Sequence, residues 1–174
     1  MNTFLDPNKV LDQLDLRDDI LAAEFGCGAG GWAIPLAKRL EKGKVFALDI
    51  QSEKISALES NVVAENVLNI ETKICDLEEV GGSQLPEGFL DLVLVPNVLF
   101  EAEKKDAIIT EAKRVLKKGG KLLIVDWLKK APLGPKKGRI SPVEIKEIAQ
   151  KISFKLKKEF EAGIYHWGLI FEKV

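Results

Sequence analysis

The stretch AEFGCGAGGW, from Ala23 to Trp32, places Gly26, Gly28, Gly30 and Gly31 directly behind an apolar run, ILAAEF. Glycine is a costly choice inside a helix or strand. Four of them in six residues mark a backbone that turns sharply, or one that something must approach closely. The apolar run before them, DILAAEF (19–25), reads as a buried strand. From about Gly31 the pattern changes to a helical period, with Ala33, Leu36, Ala37 and Leu40 on one face. A strand, a glycine turn and a helix therefore follow one another. In an open parallel sheet, ligands bind at such strand ends, where the helix N-terminus favours an anionic group.

The same alternation continues along the chain. KVFALDI (44–50) reads as a strand, and Ser52 is placed to cap the next helix, which keeps its period through Ile55, Leu58 and Val62. NIETKI (69–74) alternates as a third strand, GGSQLPEG (81–88) is a loop, and FLDLVLV (89–95) is a fourth strand ended by Pro96. A helix from about Glu103 to Lys117 is stopped by Gly119-Gly120, and KLLIVDW (121–127) forms the fifth strand. After a Pro/Gly-broken loop (128–141), Ser141, Pro142 and Glu144 spell a capping box at the start of a helix to about Ile152. The remainder, 154–174, reads as a hairpin turning at Ala162-Gly163. Strands alternating with helices predict an α/β fold with a mostly parallel sheet covered on both faces. The short final turn requires one of the last two strands to run antiparallel.

At 174 residues the chain fits one domain, 1–174. Acidic residues come early, no long apolar run opens the chain, and no segment nears the ~20 apolar residues of a membrane span. Cys27 and Cys75 do not make a disulfide framework. The expected compartment is the cytoplasm. Charge is unevenly spread: residues 1–112 hold 10 Lys/Arg against 21 Asp/Glu, and residues 113–174 hold 16 against 6. The basic half includes Lys129, Lys130, Lys136, Lys137 and Arg139 in the 128–140 loop. That loop reads either as a solvated connection or as a surface for an anionic small molecule, a lipid headgroup or RNA phosphates. It lacks the interleaved aromatics that stack RNA bases, which ranks RNA below an anionic small molecule.

Gly26, Gly28 and Gly31 satisfy the dinucleotide fingerprint G-x-G-x-x-G, a weak signal alone. Asp49 ends the second strand about 20 residues on, where a carboxylate accepts hydrogen bonds from ribose hydroxyls. A dehydrogenase of the short-chain type needs Tyr-x-x-x-Lys, yet the single tyrosine, Tyr165, is followed by Leu169. The stretch also satisfies E-x-G-x-G-x-G through Glu24, Gly26, Gly28 and Gly30. With Asp49, Cys75-Asp76 after the third strand, LDLVLVPNVLFEAE around the fourth, RVLKKGGKLLIVDW leading the fifth and the terminal hairpin, the chain resembles the class I S-adenosylmethionine-dependent methyltransferases over about residues 18–174.

That resemblance implies a Rossmann-like three-layer αβα sandwich, strand order 3-2-1-4-5-7-6 with strand 7 antiparallel, and S-adenosylmethionine as cofactor. It implies that Glu24, Phe25, Gly26, Cys27, Gly28 and Gly30 pack around the methionine and ribose, Glu24 serving the ammonium. Asp49 and Ile50 would lie at the ribose, Asp76 and Leu77 at the adenine, and Asn97 at the methionine end facing the methyl. The group's catalytic residues follow no fixed pattern; Asp126, Asn97 and His166 are the candidates, with Trp127 and Tyr165 nearby. VPNVLF differs from the Asn/Asp/Ser-Pro-Pro-Tyr/Phe motif of amino-group methyltransferases, and one histidine supports no metal site. The expected activity is methyl transfer to a small-molecule acceptor. RNA or protein methylation through the basic loop, and a non-catalytic S-adenosylmethionine-binding protein, are the alternatives. Residues 1–18, with Phe4, Val10, Leu11 and Leu14, are expected to form a helical lid.

Overall fold

A computed structural model describes residues 4–174; the first three residues of the expected N-terminal lid lie outside it. The elements are α1 (Pro7–Leu11), β1 (Leu21–Phe25), α2 (Ala33–Arg39), β2 (Lys44–Asp49), α3 (Ser52–Ala64), β3 (Ile70–Ile74), β4 (Leu90–Pro96), α4 (Lys105–Val115), β5 (Leu116–Trp127), α5 (Pro142–Lys151), β6 (Phe154–Glu161) and β7 (His166–Lys173). The seven strands form one sheet in the order β3-β2-β1-β4-β5-β7-β6. β7 runs antiparallel to the other six strands. Central strands are buried almost throughout, as a sheet covered on both faces demands. Edge strand β6 exposes Lys155, Lys157 and Lys158, charges that discourage pairing with another chain.

The pleat divides the core. Ala22, Leu92, Leu94, Leu123, Val125 and Ile170 pack with the apolar sides of α1, α2 and α3. Ala23, Phe25, Val93, Val95, Ile124 and Leu169 pack with α4 and α5 on the other face. Each residue at a strand's carboxyl end is thereby assigned to a face by its position in the alternation. Glu24 falls on the α1–α3 side and Asp126 on the α4–α5 side.

Three boundaries depart from the sequence reading. The fourth helix ends at Val115 rather than Lys117, because Leu116 is already buried and paired with Leu90. Residues 117–120 form a bulge before pairing resumes at Leu92 and Lys121, with Gly119 at φ +79° making the turn. Ser52 is the first residue of α3 rather than its cap; Gln51 holds the cap position without a side-chain bond. Pro96 belongs to β4 as its last residue. The capping box is present: the Ser141 hydroxyl accepts from the Glu144 N–H, and the Glu144 carboxylate accepts from the Ser141 N–H.

The basic loop is folded around one of its own cations. The Arg139 guanidinium donates to the carbonyls of Leu128, Lys129, Ala131, Leu133 and Pro135, and lies over the Trp127 ring. Lys129 pairs with Glu144 at 2.6 Å, which draws that carboxyl down to about 2, helped by its bonds to Ser141. The loop therefore has an acidic partner just beyond it, and two of its five cations are engaged. At Gly138, φ is +78° and a Cβ would fall 1.8 Å from the Phe100 carbonyl, so the loop lies tightly on the β4–α4 connection.

Replacing Arg139 with Met leaves these carbonyls without their donor. The expected outcome is rapid limited trypsinolysis at Lys130, Lys136 or Lys137, sites that the parent protein protects under the same conditions. Mass spectrometry of the early fragments checks it.

Candidate cofactor cleft

The carboxyl ends of β1, β2 and β4 enclose a cleft of about 750 Å³, within the range of small-molecule sites. Its floor is the glycine turn. The N–H groups of Gly26 and Cys27 both donate to the Leu48 carbonyl, at 2.8 and 2.9 Å, and Gly28 N–H donates to Asp49 Oδ2 at 2.9 Å. The turn is thus laid against the end of β2, which requires φ of +73° at Gly26 and +51° at Gly28. At Gly28 an added Cβ would meet nothing within 4 Å; this backbone faces the open cleft. At Gly26 a Cβ would lie 2.3 Å from Val98, so this glycine admits the residue that follows Asn97.

The residues expected from the sequence separate into two groups. Glu24, Gly26, Cys27, Gly28, Asp49, Ile50, Asp76, Leu77 and Asn97 line the cleft. Phe25 and Gly30 do not. Phe25 is fully buried in the α4–α5 core, since the residue after Glu24 points to the opposite face. Gly30 is a packing glycine: a Cβ there would lie 2.4 Å from Leu58. Trp32, Gln51, Lys54 and Glu101 also line the cleft and were missed. Gln51 and Lys54 were legible in principle, because they follow Asp49 at the start of α3. Nothing in the sequence marks Glu101.

Glu24 is buried, and its Oε2 has no hydrogen-bond partner. Burial raises its carboxyl well above the usual range, with the nearby Asp49 charge adding to the effect against the Ala33 backbone. Asn97 stands in the left-handed region at φ +55°, fixed by its N–H bond to the Val125 carbonyl at 2.8 Å. Its Oδ1 is also buried without a partner. Asp49 accepts from Gly28 and from Gln51 N–H at 2.9 Å, leaving lone pairs on both oxygens. Asp76 closes a turn by accepting from Glu78 N–H, and the Glu78 carboxylate accepts from the backbone of Glu103 and Lys104 at the start of α4. Burial pushes both cysteine thiols up, Cys75 to about 11, so neither is a nucleophile at neutral pH.

The catalytic candidates are dispersed. Asn97 is in the cleft. Asp126 is fully buried on the opposite face, accepting from Trp127 N–H at 2.7 Å and Phe100 N–H at 3.1 Å. Burial raises it to about 6 against these bonds. Its geometry is that of a loop anchor. His166 opens β7 beside Trp127, buried, with neither ring nitrogen bonded. Burial lowers it to about 4; the Phe4 backbone opposes the shift and the Arg139 charge adds to it.

Two outcomes follow. Glu24→Gln removes a carboxyl whose ionisation is opposed by burial, so the ligand-free variant melts higher than the parent at pH 8, by scanning calorimetry. His166 has its folded pKa below the unfolded 6.5, so the unfolded chain binds the proton more readily. The parent therefore loses stability as pH falls from about 6.5 to about 4. His166→Leu loses less over that window, as paired denaturant titrations will show.

A family model described as Methyltransferase domain matches residues 22–120. The crystal structure of a SAM dependent methyltransferase from Aquifex aeolicus matches with TM-score 0.89 over 98% of this chain and 91% of that one, at 28% identity. The ubiquinone/menaquinone biosynthesis C-methyltransferase UbiE of Paraburkholderia phymatum is 29% identical over 118 residues, 67% of this chain and 47% of its own. The chain spans about half the length of this relative or less of others like it. Geranyl diphosphate C-methyltransferase from Streptomyces coelicolor, crystallised with Mg2+, geranyl diphosphate and S-adenosyl-L-homocysteine, shares the fold at TM-score 0.80 over 97% of this chain and 79% of that one, with 10% identity. The chain belongs to the methyltransferase-domain family, the class I S-adenosylmethionine-dependent methyltransferases.

Proposed function

We propose that this chain binds S-adenosylmethionine in the cleft and transfers its methyl group to carbon of a small-molecule acceptor. The observation that carries the reading is the pair of buried, unpartnered acceptors, Glu24 Oε2 and Asn97 Oδ1, on the wall of one cleft. Leaving buried polar atoms unpaired costs about 1–3 kcal/mol each, and an ammonium-bearing ligand would remove that cost. Glu24 would take the ammonium, which supplies the countercharge its burial denies it. Asp49 would accept from the ribose hydroxyls with its remaining lone pairs, and Asp76 with the Leu77 backbone would lie at the adenine. Gly28, with open space where a Cβ would stand, lets the backbone contact the ligand directly.

When bound, the sulfonium supplies a methyl carbon already activated for in-line displacement. The protein's share is alignment and exclusion of water. Asn97 would orient the methionine end, held by its strained backbone and its bond to Val125. Asp126 would act at one remove, holding residues 99 and 100 so that Asn97 and Val98 keep their places. Carbon as the accepting atom is supported by the C-methyltransferases among the curated relatives. No helix among the described residues is long and apolar enough to cross a membrane, and both cysteines are free and buried, which supports action in the cytoplasm. Nucleic-acid binding through the basic loop loses support from the engagement of Arg139 and Lys129.

Calorimetric titration with S-adenosylmethionine, S-adenosylhomocysteine and NAD tests the reading. The first two bind and NAD does not. Asp49→Ala and Glu24→Gln each weaken S-adenosylhomocysteine about tenfold or more, the scale of one charge-assisted hydrogen bond. Binding of NAD alone, or unchanged affinity in both variants, overturns the assignment.

A further inference from the structure

His166 is the single histidine of the chain. It is fully buried, neither ring nitrogen has a partner at full hydrogen-bond geometry, and the Phe4 backbone is the polar neighbour that acts on it. A neutral imidazole offers one donor and one acceptor, so the fold here leaves its polar capacity largely unused. Its role in the sheet, opposite Trp127 in the β5–β7 ladder, would be filled at less cost by an apolar residue.

Its surroundings are aromatic. The Trp127 ring centroid is 4.1 Å away with the planes inclined at 43°. Phe4 stands edge-on to three rings at once: His166 at 5.7 Å, Trp127 at 5.8 Å and Tyr165 at 5.5 Å. These are favoured edge-to-face separations. Phe4 itself is 49% exposed. It reaches the group from the segment ahead of α1, which is held by Leu5 against the α1–α3 core and, farther on, by Arg39 bonded to Asn8 and Asp12. A flat ring on a short strap therefore fills a recess walled by Trp127, Tyr165 and His166.

The recess is on the correct side of the sheet. By the pleat, Trp127 and His166 share the α1–α3 face with Glu24, whereas Asp126 points the other way. Asn97, on the cleft wall, is bonded to Val125 two residues before Trp127. Crossing from the end of β4 over β5 to β7 spans about 10 Å at the spacing of neighbouring strands. A molecule one or two rings long bridges it.

We propose that this recess is the acceptor site, and that it takes a planar unsaturated ring bearing a hydroxyl group. The ring replaces that of Phe4 against Trp127 and Tyr165, and the hydroxyl pairs with His166. Naming the ring an acceptor rests on the methyltransferase reading; the recess as a binding site does not. A hydroxyl-free ring leaves the imidazole unmet, and a saturated ring lacks the π-system that the edge-to-face contacts of Trp127 and Tyr165 favour, so selectivity against both is built in.

One histidine makes the test direct. Untagged protein labelled with 15N-histidine is titrated with resorcinol, 1,3-dimethoxybenzene and cyclohexane-1,3-diol, with and without S-adenosylhomocysteine, and the imidazole nitrogens are followed by NMR. Resorcinol is expected to shift them saturably, several-fold more tightly than the dimethyl ether, and the saturated diol to leave them unmoved. Phe4→Ala, which opens the recess without touching the sheet, should tighten resorcinol several-fold. Unmoved nitrogens in both the parent and Phe4→Ala, or an equal response to all three probes, overturn the proposal. Calorimetry with S-adenosylhomocysteine on the same samples separates the two readings. Its binding with a silent His166 overturns the recess alone. Saturable His166 shifts without its binding overturn the methyltransferase reading alone.

Discussion

The end of β2 holds the glycine turn in place, and the site depends on that attachment. Leu48 offers one carbonyl to two successive N–H groups, Gly26 and Cys27, and Asp49 offers a carboxylate oxygen to the third, Gly28. Three donors in a row on one strand end force the chain through left-handed conformations that glycine adopts at little cost. The same turn then delivers α2, buries Glu24 beneath it and leaves Gly28 facing the cleft. Gly26 and Gly30 serve this arrangement from behind, by admitting Val98 on one side and Leu58 on the other. Asp49 has two tasks here: it clamps the turn and keeps spare lone pairs at the cleft.

A second constraint is the pleat. Because side chains alternate, Glu24 and Phe25 cannot both reach the ligand side, nor can Asp126 and Trp127. The acidic residue of each pair lands on a different face. Glu24 meets the cleft, and Asp126 meets the β4–α4 connection, where it collects backbone N–H groups. Two buried carboxylates, on strands β1 and β5 that flank β4, thus have unlike environments, one with an unpartnered oxygen and one bonded through both oxygens. The basic loop completes the second environment by seating Gly138 on Phe100.

Most of the fold was legible because its signals are local and repeated. Apolar runs such as LDLVLV mark buried strands, and Ser141-Pro142-x-Glu144 writes its own helix start. The cleft was legible at Glu24, Gly28, Asp49 and Asn97, where motif spacing places residues at strand ends. What failed was decided by tertiary packing. Leu116 leaves the helix because a strand partner and a core position are available to it, against the helical preference of Lys117 and Lys118. Phe25 and Gly30 lie within the motif, but the pleat and α3 turn them inward. Arg139 read as one of five surface cations, because nothing local shows that five carbonyls converge on it.

The sorting of satisfied from unsatisfied polar groups says more than the motif does. Native proteins leave few buried polar atoms unpaired, and this chain pairs demanding ones elsewhere: Glu111 is bonded to Arg114 and Ser83, and Asp91 to Leu21 and Lys117. Among the described residues, the buried side-chain polar atoms without partners are Glu24 Oε2, Asn97 Oδ1 and the two nitrogens of His166. All belong to the carboxyl edge of the sheet, and Glu24 and His166 share one face. Failures of packing would be scattered through the molecule. A cost gathered along one edge, in residues flanked by a clamped turn and an aromatic recess, is what a fold retains when ligands are to complete it.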